Sequence, residues 1–323
     1  MANAFTDTSA LSNTVQTAYD KLFRFNLRSQ PLFRSLADVH PTDLTAPGSS
    51  MVLGIWQDLA PATTPLSEDV DPDAVAIGNP TQKTLTINEY GNPVLRTRKL
   101  MLVSLTDVDP AAASMIAYNM ADSVDVLVQT QLRGGSYLIQ LKGGTTTYVT
   151  NATSSTVATT MAGTDTFKSS LVRLAVAKLR TNKAVPKKGS YFGGFIHPEV
   201  SHDLRAESGA AAWRDPHNYS AAGNVWAGEI GAYEGAFWIE SPRCYQAVDA
   251  GTGDNTVRRF RTYILGQEAI AEAVADEFHI VAGPIVDKLG RFRPLGWLGM
   301  AGWARFREEA LIRIETSSSI DAS

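Results

Sequence analysis

Residues 51–90 read MVLGIWQDLAPATTPLSEDVDPDAVAIGNPTQKTLTINEY. The two ends, 51–57 (MVLGIWQ) and 83–90 (KTLTINEY), carry the β-branched and aromatic residues that predict strands. The stretch between them, 58–82, holds Pro61, Pro65, Pro72, Pro80 and the Gly78-Asn79 pair, with weak periodicity. A connection of about 25 residues is long for a compact domain, where lengths above about 12–15 residues are uncommon and tend to serve a function. At about 3.3 Å per residue the hairpin reaches about 30–40 Å, against a radius of gyration of about 20 Å for a compact chain of this length. It is therefore expected to project beyond its own subunit. Charge is segregated along it. Between 51 and 82 there is no Lys or Arg, while Asp58, Glu68, Asp69, Asp71 and Asp73 are acidic. Cations return as Arg96, Arg98 and Lys99 on a predicted strand at 93–104, whose apolar positions are Val94, Leu95, Leu100, Leu102 and Val103. Either the loop is simply solvated, or an acidic tip docks on a basic surface of another subunit.

Upstream, Leu11, Val15, Ala18, Tyr19, Leu22 and Phe23 follow helical spacing over 11–27. Pro31 and Pro41 then punctuate an extended arm anchored by Leu32, Phe33, Leu36 and Val39. Downstream lies the strongest helix signal. Asp109 suits an N-cap, Pro110 the first helical position, and Ala113, Ile116, Ala117, Met120, Val124 and Leu127 recur every three or four residues until Gly134-Gly135 stops the run. Strands are expected at 136–141, in the Thr-rich stretch to 163, and at 191–196, 228–241, 261–265, 278–282, 291–304 and 309–315. A helix is expected at 166–181, capped by Thr164 or Asp165, and a short one opened by Pro198 with Val200 and Leu204 turned inward. An Ala/Gly-rich loop, 208–227, is anchored by Trp213 and Trp226.

The 323 residues are 44 % hydrophobic and 19 % charged, with a net charge of -4, which excludes disorder as the dominant state. A single cysteine, Cys244, excludes an intrachain disulfide framework. No apolar run approaches the roughly 18 residues of a membrane span, and the N-terminus lacks the basic-then-apolar pattern of a secretory signal. The acidic balance argues against a dedicated nucleic-acid binder.

Candidate chemistry is sparse. His197, Glu199 and His202 form the only metal-like cluster, but histidines five apart do not share a helix face as they would at four apart. His197 fits better as a helix cap or a packed strand end. Glycines 228, 231 and 235 lack the spacing and the Lys-Ser/Thr pair of a phosphate loop. Cys244 reads as a buried structural thiol, no serine sits in a nucleophile elbow, and Glu308-Glu309 reads as solvated surface. No catalytic residue, metal or cofactor is assigned.

The order of parts resembles the major capsid proteins of tailed bacteriophages, which share the Hong Kong 97-like fold. PATTPLSEDVDP (61–72), INEYGN (87–92), GGFIHPEVSHDLR (193–205), GEIGAYEG (228–235) and GWLGMAGWARF (296–306) look most like the phage N-four branch. The resemblance implies an α+β fold: an N-terminal arm (1–48), an E-loop hairpin (49–106), a peripheral domain with its spine helix (107–185), an axial domain (186–283) and return strands of the peripheral domain (284–323). It implies a structural, non-enzymatic major capsid protein that self-assembles as hexamers and pentamers into an icosahedral head around double-stranded DNA, which it contacts without sequence specificity. Other implied partners are scaffolding, portal and decoration proteins, with no membrane partner, and the implied location is the virion shell. Glu68, Asp69, Asp71, Asp73, Arg96, Arg98, Lys99, Phe23, Phe33 and Trp213 are the expected subunit contacts. Axial loops within 208–227 and 247–256 are expected at the capsomer centre. Some relatives weld an E-loop lysine to a neighbour's asparagine. The lysine-free stretch 51–82 predicts no such weld, and no removable N-terminal scaffolding segment is expected. The competing readings are an encapsulin-type nanocompartment shell of the same fold and a metal-dependent hydrolase using His197, Glu199 and His202.

Overall fold

Two sheets and one long helix carry the architecture. The computed structural model describes residues 28–40, 50–103 (save Ser67 and Val70), 108–152, 161–207, 229–250 and 257–320 (save 285, 286 and 288). The expected helix at 11–27 with Phe23, the loop 208–227 with Trp213, and the strand expected from TSSTVATT lie outside them.

A four-stranded sheet runs in the order β1 (Asp38–His40), β12 (Ile270–Ala282), β13 (Phe292–Arg305), β4 (Asn88–Thr97). β1 is parallel to β12; the other pairs are antiparallel. An eight-stranded sheet runs β6 (Thr145–Val149), β5 (Tyr137–Lys142), β14 (Leu311–Thr316), β11 (Val257–Leu265), β7 (Phe192–Ile196), β9 (Ala236–Glu240), β8 (Glu229–Tyr233). β10 (Gln246–Ala250) pairs with the first half of β11, on the side where β7 pairs with the last three residues. No strand signal marks β10 in the sequence.

The alternation of side chains along the larger sheet explains what covers it. On one face Phe192 and Ile196 of β7, Ala236 and Trp238 of β9, Phe260 and Ile264 of β11, and Ile312 and Ile314 of β14 join one apolar core. That core is covered by α3 (Ser169–Thr181) and α4 (Pro198–Ala206). α3 presents Leu171, Val172, Ala175, Val176 and Leu179, one stripe at helical spacing. Gly194 is required there, since a Cβ would stand 2.6 Å from the Trp238 ring. The opposite face, with Phe195, Phe237, Tyr263, Leu265 and Leu311, packs on α2 (Val108–Arg133) through Val124, Val128 and Leu132.

α2 has 26 residues, about 39 Å at 1.5 Å per residue. It stops where expected, before Gly134-Gly135. β2 (Ser50–Ile55) and β3 (Thr81–Thr86) form the expected antiparallel hairpin, from Ser50↔Thr86 to Ile55↔Thr81. Its base packs through Leu85, Ile87, Met51, Leu53 and Ile55 on Ala271, Ala273 and Phe306 of the smaller sheet's region.

Four expectations are corrected. The stretch 83–90 is two strands, because the chain leaves the hairpin at Ile87 and re-enters as β4, paired with β13. Residues 98–103 are not strand: they form helix α1 (Arg98–Val103), whose first turn is closed by Thr97 Oγ1 accepting from the Leu100 N–H at 3.2 Å. Arg98 and Lys99 therefore sit on a helix and not on the returning strand. Asp165 does not cap α3. Its buried carboxylate instead accepts from the backbone N–H groups of Gly143, Gly144 and Ala162, while Glu207 reaches back to the Ser169 N–H at 2.8 Å. Residues 247–250 of the expected capsomer-centre loop belong to strand β10.

Candidate assembly interface

The 56–80 connection carries Trp56, Leu59, Leu66, Val75 and Ile77 exposed to solvent, Leu66 at 78 % and Ile77 at 70 %. Single exposed apolar residues are ordinary, but five large ones on one segment mark a contact surface. Asp58, Glu68, Asp69, Asp71 and Asp73 are exposed on the same loop.

A complementary apolar concavity lies elsewhere on the chain. Val94, Leu95 and Arg96 of β4, Leu100 of α1, and Ala112, Met115 and Ile116 of α2 line a groove of about 420 Å³. Leu95 and Met115 are 61 % and 56 % exposed. The small residues near the start of α2 open this space, while larger Val124, Val128 and Leu132 fill the core under its second half. Two side-chain bonds set the groove's floor: Asn119 Oδ1 accepts from Asn92 Nδ2 at 3.0 Å and from Trp297 Nε1 at 2.9 Å. Among the described strands β4 is the outer edge of its sheet, and an open edge invites an added strand. Arg98 and Lys99 stand exposed at the groove's rim, while Arg96 is half-buried.

Of the other expected contact residues, Phe33 is corrected. It is 1 % exposed, its ring 4.6 Å from Phe195, and its N–H donates to Asp125 Oδ1 at 2.6 Å. It anchors the arm to its own subunit. Arg243 ties the same joint, pairing with Asp125 at 2.9 Å and with Asp122, and donating to Ser29 Oγ. Burial pushes the Asp125 carboxyl above the usual aspartate range despite those partners.

A second joint was invisible to sequence pattern. On the α2 side of the larger sheet, the fully buried Glu315 accepts from Arg259 at 3.0 Å, Arg261 at 2.8 Å and Gln140 at 3.0 Å, with Arg313 at 3.8 Å. Arg261 and Arg313 also donate to the carbonyl of Arg133, the last residue of α2. The negative end of the helix dipole thus meets cations. The Tyr245 ring lies under Arg133 and Arg261 at 4.8 and 4.4 Å. Burial lowers the Arg313 guanidinium to about 10, which still leaves it charged at neutral pH. The hub bolts the far end of α2 to the sheet.

The residues considered for chemistry are not brought together. His197 Nδ1 accepts from the Glu199 N–H at 3.3 Å and so caps α4. Burial, with Arg258 nearby, lowers its imidazole to about 4. Glu199 faces Arg258, and His202 lies beside Asp203, which is held by Ser319. Among the described residues no three such groups converge on a common point. Cys244 is buried, with its thiol pushed well up by that burial.

Comparison with known proteins agrees with a shell role. The chain is similar over nearly its whole length to the capsid of cyanophage Pam1 (13 % identity, TM-score 0.72, 99 % of this chain and 100 % of that one). The Ralstonia phage GP4 capsid gives 14 % identity and a TM-score of 0.68, covering 98 % of each chain. That of Helicobacter pylori bacteriophage KHP30 gives 11 % identity and a TM-score of 0.68, covering 98 % of this chain and 99 % of that one. At such identities these likenesses establish the shared fold. No curated protein matches in sequence. The family model for phage capsid protein matches residues 39–320. The chain therefore belongs to the phage capsid protein family, as a structural component of the capsid shell and not an enzyme.

Proposed function

We propose that this chain is the major capsid protein of a tailed-phage head, closing as hexamers and pentamers into an icosahedral shell around double-stranded DNA, in the branch typified by phage N-four. The 56–80 connection acts as the E-loop and lies over a neighbour's peripheral domain, which α2 and the four-stranded sheet build; the axial domain falls within 186–283. The observation that carries this reading is the pairing of an exposed apolar loop with an exposed apolar groove on one chain. A patch and a pocket that are distinct surfaces of one chain make a head-to-tail contact that repeats around a ring. Leu66, Val75 and Ile77 enter the groove around Leu95 and Met115, with Arg98 and Lys99 on its rim. The acidic overall balance keeps packaged DNA from adhering to the wall. Scaffolding, portal and decoration proteins complete the partner set.

The test is Met115→Glu and, separately, Leu66→Ser with Ile77→Ser. All three sites are exposed, so each subunit keeps its fold, checked by circular dichroism. Negative-stain microscopy of the unaltered chain is expected to show closed particles, and both variants are expected to lose them. Closed particles from both would overturn the loop-to-groove contact.

A further inference from the structure

The chain carries a second charge-segregated run that the loop-to-groove contact does not use. From 166 to 198 there is no Asp or Glu, while Lys168, Arg173, Lys178, Arg180, Lys183, Lys187 and Lys188 are cationic. Three have contacts within the subunit: Lys187 pairs with Asp38 at 2.5 Å, Lys178 lies 4.8 Å from the Tyr148 ring centre, and Lys188 lies 5.9 Å from the Phe237 ring centre. Arg173, Arg180 and Lys183 are exposed on the outward side and end of α3, with Lys188 beyond, and none forms an ion pair among the described residues. Exposed Val185 and Tyr191 interleave with them.

No acid among the described residues forms an ion pair with these four cations. Glu207 holds the Ser169 N–H, Glu234 sits in the β8–β9 turn, and the Glu309 backbone carbonyl accepts from Asn182. The strip is also rigid. α3 ends in a hydrogen-bonded reversal, with the Ala184 N–H donating to Leu179 O and the Lys183 N–H to Arg180 O. The position in that motif that favours glycine is occupied by Lys183, at φ 58°. A side chain there costs about 1 kcal/mol in backbone strain. The Val185 carbonyl accepts from the Gln267 N–H, and Lys188 is tied to the Tyr191 carbonyl, which fixes the remainder.

We infer that this basic strip, Arg173, Arg180, Lys183 and Lys188 with Val185 and Tyr191, receives the acidic 58–73 segment of another copy of the chain. The occupant follows from charge complementarity. The 58–73 segment has five carboxylates, no cation, and apolar Leu59 exposed among them. The inference rests on the shell reading above and names a second receiving surface, along α3 and the turn that follows it. Contacts of this kind give specificity and register more than affinity.

The experiment is zero-length carbodiimide coupling of assembled particles, followed by excision of the covalent dimer from a denaturing gel and peptide mapping. Activation of a loop carboxylate and attack by a lysine Nζ leaves an amide, the carbodiimide departing as its urea, so a linkage reports direct contact. The expected linkage joins 58–73 to Lys183, Lys188 or Lys168. It is expected to be lost in Arg180→Glu/Lys183→Glu and restored when Asp69→Lys/Asp71→Lys is added, with the linkage then read between the introduced carboxylates of the strip and the introduced lysines of the loop. Linkage to Lys99 alone overturns the inference and leaves the shell reading standing. Particles with no linkage from 58–73 to another copy overturn it as well. Shielding of Lys183 from acetylation in DNA-filled particles but not in empty ones assigns the strip to nucleic acid and also overturns it. If the unaltered chain forms no particles, the shell reading itself fails.

Discussion

Replacing Glu315 by Gln removes one charge from the hub that joins α2 to the larger sheet. Glu315 is fully buried and receives Arg259, Arg261 and Gln140 within 2.8–3.0 Å. Glutamine keeps the volume and one acceptor oxygen but turns an amide N–H₂ toward groups that are themselves donors. It leaves Arg259, Arg261 and Arg313, each nearly or fully inaccessible, without that shared carboxylate. Breaking a buried pair from one side costs about 3–5 kcal/mol, against a total of about 5–15 kcal/mol for a typical domain. With about 2.1 cal/mol/K of unfolding entropy per residue, the midpoint should fall by about 4–7 °C. The control is Glu240→Gln, whose Arg205 partner is half exposed, with an expected cost below about 1 kcal/mol. Urea titration and thermal melts of the unassembled subunit measure both. Equal losses for the two variants would refute the claim that the hub is a structural joint.

His197 makes stability depend on pH. Its folded value of about 4 lies below the ordinary 6.5, so the unfolded chain binds more protons between them. Its contribution is complete above 6.5 and is lost as pH falls through about 4, amounting to about 3–4 kcal/mol. His197→Asn keeps a capping side chain, so its stability should drop less between pH 7 and pH 4.5 than that of the unaltered subunit; parallel urea curves at the two pH values would contradict this. Because 51–82 contains no lysine, particles boiled in detergent should run as single subunits, and a ladder of covalent multimers would show a weld through the loop.

Local signals marked much of the fold because local physics decides it there. The end of α2 at Gly134-Gly135 and α4 opened by Pro198 under a His197 cap each depend on near neighbours. The failures depend on partners far away or on a single cap. Leu100 and Leu102 alternate as in a strand, yet the Thr97 hydroxyl turns α1 into a helix. The first half of β12, IAEAVA, shows no apolar–polar alternation with β-branched residues that would mark a strand, and its one charge, Glu272, is buried while pairing with Arg34, 238 positions away. At the interface, the acidic loop and the cations near 96–99 were legible. The groove was not, since it needs β4, α1 and α2 in register, and neither was the Glu315 hub, whose members sit on separate strands.

β14 lies inside the eight-stranded sheet, parallel to β5 and antiparallel to β11. The centre of that sheet is thus translated after both strands that flank it. Ile312 pairs with Tyr137, and at about 5–20 residues per second the ribosome takes on the order of ten to thirty seconds to cover the interval. Throughout that time β5 offers an unpaired edge, and α2 lacks the sheet that seats its far end. A nascent chain is consequently not yet a building block, and any copy truncated before residue 311 presents the wrong edge to its neighbours. Strand order in this protein therefore leaves the larger sheet open at its centre until residues 311–316 have been made.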